Sequence, residues 1–391
     1  MPADVVVAGG GVIGTAIAWR AALAGLSVIV VDPDEGVPAT QVAAGMLAPV
    51  SESLFGEQDL LSINLLAVRR FPEFAAELEE ATGLRVGLRR EGTIAIAYDP
   101  GDYAALMRLT AFRRQAGLTA QELDSRECRT LEPFLTPDVH GGVLFPGDWS
   151  VDNRRYAAAL SSAMLNAGVT TVRDRVIAVV SQDSNDAVAS QDSQDSTVVL
   201  ASGDTIDCAA VVVAAGSRTG EIAGLPEPIG KAIRPVKGQL LRLAHPPNLP
   251  PVATHTIRAT VRGTDIYLVP REDGELIVGA TQEEQADQRV TAGAVHDLLH
   301  DAMSVLPVTS ELILTQACAG LRPGTPDNGP LVGPLADNSK IVLAAGHYRN
   351  GILMSAATAD AVVAHLTGQQ PQRAWLPFSP DRFTHDREEH S

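Results

Sequence analysis

Asp4-Val5-Val6-Val7-Ala8-Gly9-Gly10-Gly11-Val12-Ile13-Gly14 stands at the head of the chain, and Val28-Ile29-Val30-Val31-Asp32 follows after a run of small and apolar residues. The order is strand, glycine turn, helix, strand, with a carboxylate closing the second strand. It predicts a parallel βαβ unit of the dinucleotide-binding kind. Gly9 permits the tight turn, Gly11 lets a pyrophosphate approach the backbone, and Gly14 lets the helix lie close to the sheet. The first turn of the helix offers unpaired N–H groups to phosphate oxygens. Asp32 stands where an acidic side chain accepts hydrogen bonds from ribose hydroxyls. A bare glycine pattern is weak; one framed by two β-branched strands and a terminal Asp is specific.

The rest of the chain bounds what such a unit can serve. At 391 residues it exceeds the size at which one core usually keeps growing, so two domains are expected. A hydrophobic content of 45% excludes disorder, and no apolar run reaches the length of a membrane helix. The opening Met1-Pro2-Ala3-Asp4 lacks a basic, apolar leader, which points to a cytoplasmic protein. Cys128, Cys208 and Cys318 are odd in number and far apart, so they read as reduced thiols. The nine histidines form no ligand spacing, and no metal is expected. A formal charge of −17 repels nucleic acid and anionic membranes, so neither is an expected partner. An anionic substrate would then need a locally positive pocket, which makes a pocket arginine informative.

Further along, residues 39–50 are small and weakly polar, suited either to lying flat against a ligand or to a plain loop. Apolar residues at helical intervals predict a helix over 59–82. A strand is read at 92–98, helices at 102–116, 124–131 and 153–167, and an edge strand at 168–172. Strands at 176–180 and 197–201 flank a Ser/Gln/Asp-rich tract, 181–196, read as a floppy hairpin tip. Residues 211–216 form a buried strand ending in a glycine turn. Between 230 and 317 the pattern is an antiparallel sheet with a helix, and Glu272-Asp273-Gly274 is one of its hairpin turns. The chain returns through a strand at 341–346 to a closing helix at 351–366, and the last twenty or so residues read as a polar, disordered tail.

Three segments carry candidate chemistry. In Ala319-Gly320-Leu321-Arg322-Pro323-Gly324-Thr325-Pro326-Asp327, prolines and glycines fix the backbone around one arginine. Arg322 is either a preorganised carboxylate clamp or half of an internal ion pair. In Ala344-Ala345-Gly346-His347-Tyr348-Arg349-Asn350-Gly351-Ile352-Leu353, a strand turns into a helix start whose amides can face an electron-rich ring. His347 reads as a hydrogen-bonded structural residue, and Arg349 is the more interesting member. Tyr267, in Tyr267-Leu268-Val269-Pro270-Arg271, matters only if it opens onto the same cavity as Arg322.

These segments, with Ala43-Ala44-Gly45-Met46-Leu47, Pro235-Val236-Lys237-Gly238 and Val278-Gly279-Ala280-Thr281, resemble the FAD-dependent oxidoreductases of the D-amino-acid oxidase and sarcosine oxidase group. Within that group the chain is most similar to the glycine oxidase branch of thiamine biosynthesis. The resemblance implies an α/β fold: a Rossmann-like FAD-binding domain of the glutathione-reductase type with a second, α+β substrate domain built on an antiparallel sheet. It assigns residues 1–87, 144–228 and 318–370 to the first, 88–143 and 229–317 to the second, and 371–391 to the tail. It implies that Arg322 binds a substrate carboxylate, that Tyr267 shares the contact and that Arg349 lines the site. Non-covalent FAD would be held by Gly9, Gly11, Val12, Ile13, Gly14, Asp32, Pro33, Thr40, Ala44, Gly45, Met46, Val176 and Gly346, and by His347, Tyr348, Arg349, Asn350, Gly351, Ile352 and Leu353. Cys318 is out of register for the covalent flavin link of some cousins. Asp32 replaces a frequent Glu, and Gln282 replaces a Met of one relative.

The implied reaction is oxidation of glycine and of small amines or D-amino acids by hydride transfer to flavin N5. It gives an imine, then glyoxylate, ammonia and H2O2 with O2 as acceptor, and needs no side chain as general acid or base. A homo-oligomer is also implied. Rival readings are a D-amino-acid dehydrogenase or sarcosine-type oxidase of the same group, an NAD-dependent dehydrogenase, and a non-catalytic flavin scaffold.

Overall fold

The computed structural model describes residues 3–33, 39–181, 196–261 and 263–384. The opening unit forms as read: strand Ala3–Ala8, helix Val12–Leu23 and strand Val28–Val31. The two strands are parallel, with Val5 beside Val28 and Ala8 beside Val31. Val5, Val6 and Val7 are all buried because both faces of the sheet are covered, which explains a continuous rather than alternating apolar run. A Cβ on Gly14 would lie 1.9 Å from the Gly9 carbonyl oxygen, so the helix can sit this close only without a side chain there.

Across the first sheet the strands run Leu331–Pro334, Ile341–Ala345, Thr205–Val213, Ala3–Ala8, Val28–Val31 and Thr170–Val172. The last is the edge strand expected at 168–172. Val176–Ser181 and Ser196–Leu200 pair antiparallel, and the second of them joins the sheet through Thr205–Val213. The expected hairpin tip, 181–196, lies outside the described residues except for Ser181 and Ser196, which belong to these strands. The helix Gly351–Leu366 packs on the helix Val12–Leu23. The long helix Gln58–Thr82 buries Ile63, Ala67, Phe71, Phe74 and Leu78 in the same core, where Phe74 meets Trp19 edge-on at 5.1 Å.

The second sheet runs Ile313–Gly324, Arg234–Ala244, Leu276–Gly279, Thr264–Pro270, Thr256–Val261, Thr93–Ala97, Gly141–Phe145 and Gln121–Asp124. It is mixed rather than wholly antiparallel, because Thr256–Val261 runs parallel to Thr93–Ala97. The helix Ala292–Val305 covers it with Leu298, Ala302 and Val305. Ile313–Gly324 is one continuous strand, so the boundary read between 317 and 318 falls inside it, and the backbone around Arg322 is fixed by strand pairing.

The tail departs from expectation. Residues 373–383 fold into two short 3-10 turns, Arg373–Phe378 and Pro380–Phe383. Trp375 and Phe378 are buried in the main core, and Arg382 grips both carboxylate oxygens of Asp327 at 2.8 and 3.1 Å. The average polarity of the segment concealed two aromatic anchors, whose burial outweighs the cost of ordering the polar residues around them.

Candidate active site

A cavity of about 450 Å³ opens at the carboxyl ends of the first sheet's parallel strands and reaches the face of the second. Its nucleotide-like end is built from backbone. Gly9 holds φ at +113°, and a side chain there would strike the Ala214 carbonyl. A Cβ on Gly11 would meet nothing nearer than Thr40 Oγ1, 3.9 Å away, which leaves the approach to the helix start open. The Thr40 hydroxyl accepts from Val12 N at 3.1 Å, and Asp32 Oδ2 accepts from Gly10 N at 2.6 Å. The helix carries no acid in its own first turn, and its N-terminal end faces the cavity. A second long helix, Gly351–Leu366, begins at the same cavity with no acid in its first turn either. Ala8, Ala43, Ala44, Ala214, Ala344 and Ala345 leave the walls low and flat. Open glycine turn, terminal carboxylate, two helix starts and small-residue walls fit an extended FAD.

The flat stretch 39–50 is a four-residue helix, Ala39–Val42, followed by a strand, Met46–Leu47, which pairs with Trp149–Ser150. Buried Arg271 fastens it by donating to Ala44 O at 2.6 Å, Val151 O at 2.9 Å and Asn153 Oδ1 at 3.2 Å. Asn153 in turn donates to Thr40 O at 2.7 Å. Burial lowers the Arg271 guanidinium to about 10.

At the other end of the cavity stand two side chains lying on glycines. A Cβ on Gly238 would come within 2.4 Å of the Arg322 guanidinium carbon, and one on Gly279 within 2.4 Å of the Tyr267 hydroxyl oxygen. Arg322 Nη1 donates to Thr281 O at 3.1 Å, and among the described residues no carboxylate lies within 4.0 Å of its guanidinium. The internal ion pair weighed for Arg322 is therefore not formed with any described residue. Burial pushes the Tyr267 hydroxyl pKa up, and the Arg322 charge works against that shift.

Of the residues expected to hold the cofactor, Gly9, Gly11, Val12, Ile13, Asp32, Pro33, Thr40, Ala44, Gly45, Met46, Val176, His347, Tyr348, Arg349, Gly351 and Ile352 line this one cavity. Gly14, Gly346, Asn350 and Leu353 do not. Gly14 serves helix packing, Gly346 turns the chain at φ +75°, and Leu353 is core. His347 is buried, with Nε2 3.0 Å from Thr358 Oγ1, and burial lowers its pKa to about 3, so it is neutral. Gln282 is exposed and off the cavity wall.

Sequence reasoning missed Glu52. It lines the cavity, 12% exposed, and accepts from Arg258 Nη1 at 2.6 Å. Burial alone would raise its pKa, but Arg258, Arg349 and Arg322 outweigh that and hold it below the ordinary carboxylate value. The turn carrying it is clamped from both sides. Asp148, fully buried, accepts from Val50 N and Ser51 N at 2.9 Å each. Buried Arg113 donates to Ser51 O at 2.5 Å and Ser53 O at 3.2 Å. Desolvation raises Asp148 to about 6 and lowers Arg113 to about 10. Gly238 and Gly279 were readable in principle, since glycine inside a strand marks a close approach. Glu52 and Arg258 carry no local signal.

A flavin-nucleotide cleft joined to an arginine-bearing pocket defines the molecule as a flavin-dependent oxidoreductase. The comparisons agree: the family model DAO, FAD dependent oxidoreductase, matches residues 4–365, and the chain belongs to that family, with FAD as its cofactor. It is 32% identical over 386 residues to the bifunctional protein ThiO/ThiG of Synechocystis sp., covering 97% of this chain and 54% of that protein. The chain thus spans about half the length of such bifunctional relatives. Identity is also 32% over 385 residues with the glycine oxidase of Geobacillus kaustophilus, covering 97% of both chains. The crystal structure of that organism's glycine oxidase matches at a TM-score of 0.86 and 30% identity, over 97% of this chain and 98% of the other.

Proposed function

We propose that the chain oxidises glycine, and with it small amines and D-amino acids, to the imine, which in the case of glycine hydrolyses to glyoxylate and ammonia. The observation that carries this reading is the Arg322–Tyr267 pair, seated on Gly238 and Gly279 at the far end of the cavity from the glycine turn. Arg322 has no internal carboxylate partner among the described residues, so its charge is available to a substrate carboxylate, and Tyr267 supplies a neutral donor beside it. Holding the carboxylate at one end directs Cα along the cavity toward the cofactor end, which removes orientational freedom before reaction. When bound, FAD would supply the hydride acceptor and the route of the electrons to O2, with H2O2 as the product. No general base is assigned, because the neutral amine loses hydride without one.

The cofactor contacts follow the lining residues: the open helix start at Gly11 and Ile13 for phosphate, Asp32 for ribose, and the 44–46 and 347–352 segments for the ring. A division into a cofactor domain and a substrate domain is proposed on the same basis, with the strand Ile313–Gly324 kept whole across the 317/318 boundary and the cavity between the sheets. Cys318 lies off the cavity wall, which supports non-covalent attachment. A role in supplying thiamine thiazole synthesis is supported by the relatives that bear the ThiO name. Cys128, Cys208 and Cys318 are buried and not joined in disulfides, which supports a cytoplasmic setting. The homo-oligomer implied by the resemblance is read directly by light scattering on a sizing column.

The test is anaerobic addition of glycine, sarcosine and D-alanine to the yellow holoprotein. Bleaching by glycine at the lowest concentration, followed by recolouring in air with H2O2 release, is the expected result. Preference for a larger D-amino acid with reoxidation only by a quinone overturns it.

A further inference from the structure

We infer that Glu52 is the residue that binds the substrate's amino group, a positioning and specificity role that rests on the amino-acid oxidase reading above. The charged side chains grouped at the Tyr267 end of the cavity are Arg322, Arg349 and Glu52, with Arg258 behind the last. A pocket meant only for a carboxylate gains nothing from an acid lining the same cavity as its arginine. Like charges facing each other weaken binding, and a largely buried carboxylate is costly to keep ionised. The arrangement is favourable for a ligand that carries both signs on neighbouring atoms, as an α-amino acid does: carboxylate to Arg322, amine to Glu52.

Two features show that the carboxylate is held for use. Arg258 donates to Oε1 at 2.6 Å and, with Arg349 and Arg322, keeps the group ionised. The turn 50–53 that bears it is pinned through its amides by Asp148 and through its carbonyls by Arg113, both buried, so the side chain leaves a rigid backbone. An ionised carboxylate accepts a hydrogen bond from –NH3+ and from –NH2 alike. Glu52 therefore holds the amine before and after it loses its proton, while its lowered basicity leaves it a poor acceptor of that proton. The competing explanation is that Glu52 merely neutralises Arg258.

Amine-free carboxylates separate the two. Holoprotein carrying Glu52→Gln is titrated through its flavin absorbance with acetate and glycolate, and anaerobically with glycine. The expected result is a tenfold or greater rise in the glycine concentration needed for half-maximal bleaching rate, with acetate and glycolate bound as tightly as before or more tightly. Glu52→Asp, which keeps the charge one methylene further back, is expected to lie between, and carries the same test if Glu52→Gln fails to retain FAD. Equal glycine affinity in variant and parent overturns the inference, as does parallel weakening of glycine and acetate, the signature of a structural pair. If the unsubstituted holoprotein is not bleached by glycine, sarcosine or D-alanine, the oxidase reading itself falls first.

Discussion

The two ends of the cavity are made of different material. At the glycine turn the ligand-facing groups are backbone amides and small walls contributed by runs of adjacent residues, and the positive character comes from helix starts. At the Arg322 end every important group is a side chain, and each arrives on a different element: Glu52 on a turn, Arg258 and Tyr267 on neighbouring strands, Arg322 on an edge strand. Backbone sites tolerate changes of side chain but not of shape. Side-chain sites tolerate shape changes elsewhere but fail when one charge is removed. The same fold can thus keep its cofactor while its substrate changes.

The strongest way to break this comparison is Gly14→Val. The added Cβ overlaps the Gly9 carbonyl oxygen, so the helix must move and the purified protein is expected to be colourless. A yellow Gly14→Val variant with ordinary flavin absorbance would show that the turn is not what holds the cofactor. Next comes Arg322→Ala, which removes the charge partner of a desolvated carboxylate. A loss of about 3 kcal/mol or more corresponds to a KM for glycine raised about 100-fold or more, with full FAD content; an unchanged KM would remove Arg322 from the substrate site.

Gly238→Ala refines the contrast. Its Cβ would collide with the Arg322 guanidinium, displacing it without removing its charge. A hydrogen bond to a charged group is worth about 1.5–3 kcal/mol, so a displaced guanidinium should raise KM about tenfold or more while the absorbance spectrum stays unchanged; loss of flavin instead would tie the two ends together.

The smallest effect on the reaction itself concerns the turn under Glu52, where the change is one of stability. Asp148 has its pKa raised to about 6 by burial, so its charge is a burden on the fold at neutral pH. The burden is relieved as pH falls through 6 and is gone once the group is protonated in folded and unfolded chain alike. Over that window the unsubstituted chain should gain up to about 3 kcal/mol relative to Asp148→Asn. Thermal midpoints measured between pH 4 and 7 check this, and a difference that stays flat with pH contradicts it.

Legibility followed the same division. The βαβ unit, the helix over 59–82, the hairpin at Glu272-Asp273-Gly274 and the closing helix were all readable, because apolar period and glycine punctuation are properties of neighbouring residues. Arg322, Tyr267 and Arg349 were singled out, the first two with structural alternatives left open. That Arg322 and Tyr267 share a cavity became visible only when their strands were set in one sheet. The tail was misread because Trp375 and Phe378 sit among polar residues, and their burial depends on a core assembled from distant segments.

By itself the amino-acid sequence determined where the chain turns, which faces are apolar and where phosphates can rest on bare amides, since each depends on torsions and spacings within a few residues. The tertiary structure alone decided that Glu52 meets Arg258 across 206 residues of chain and shares its field with Arg349 and Arg322. Electrostatic partnership depends on distance through space, and no local pattern records the packing that sets that distance.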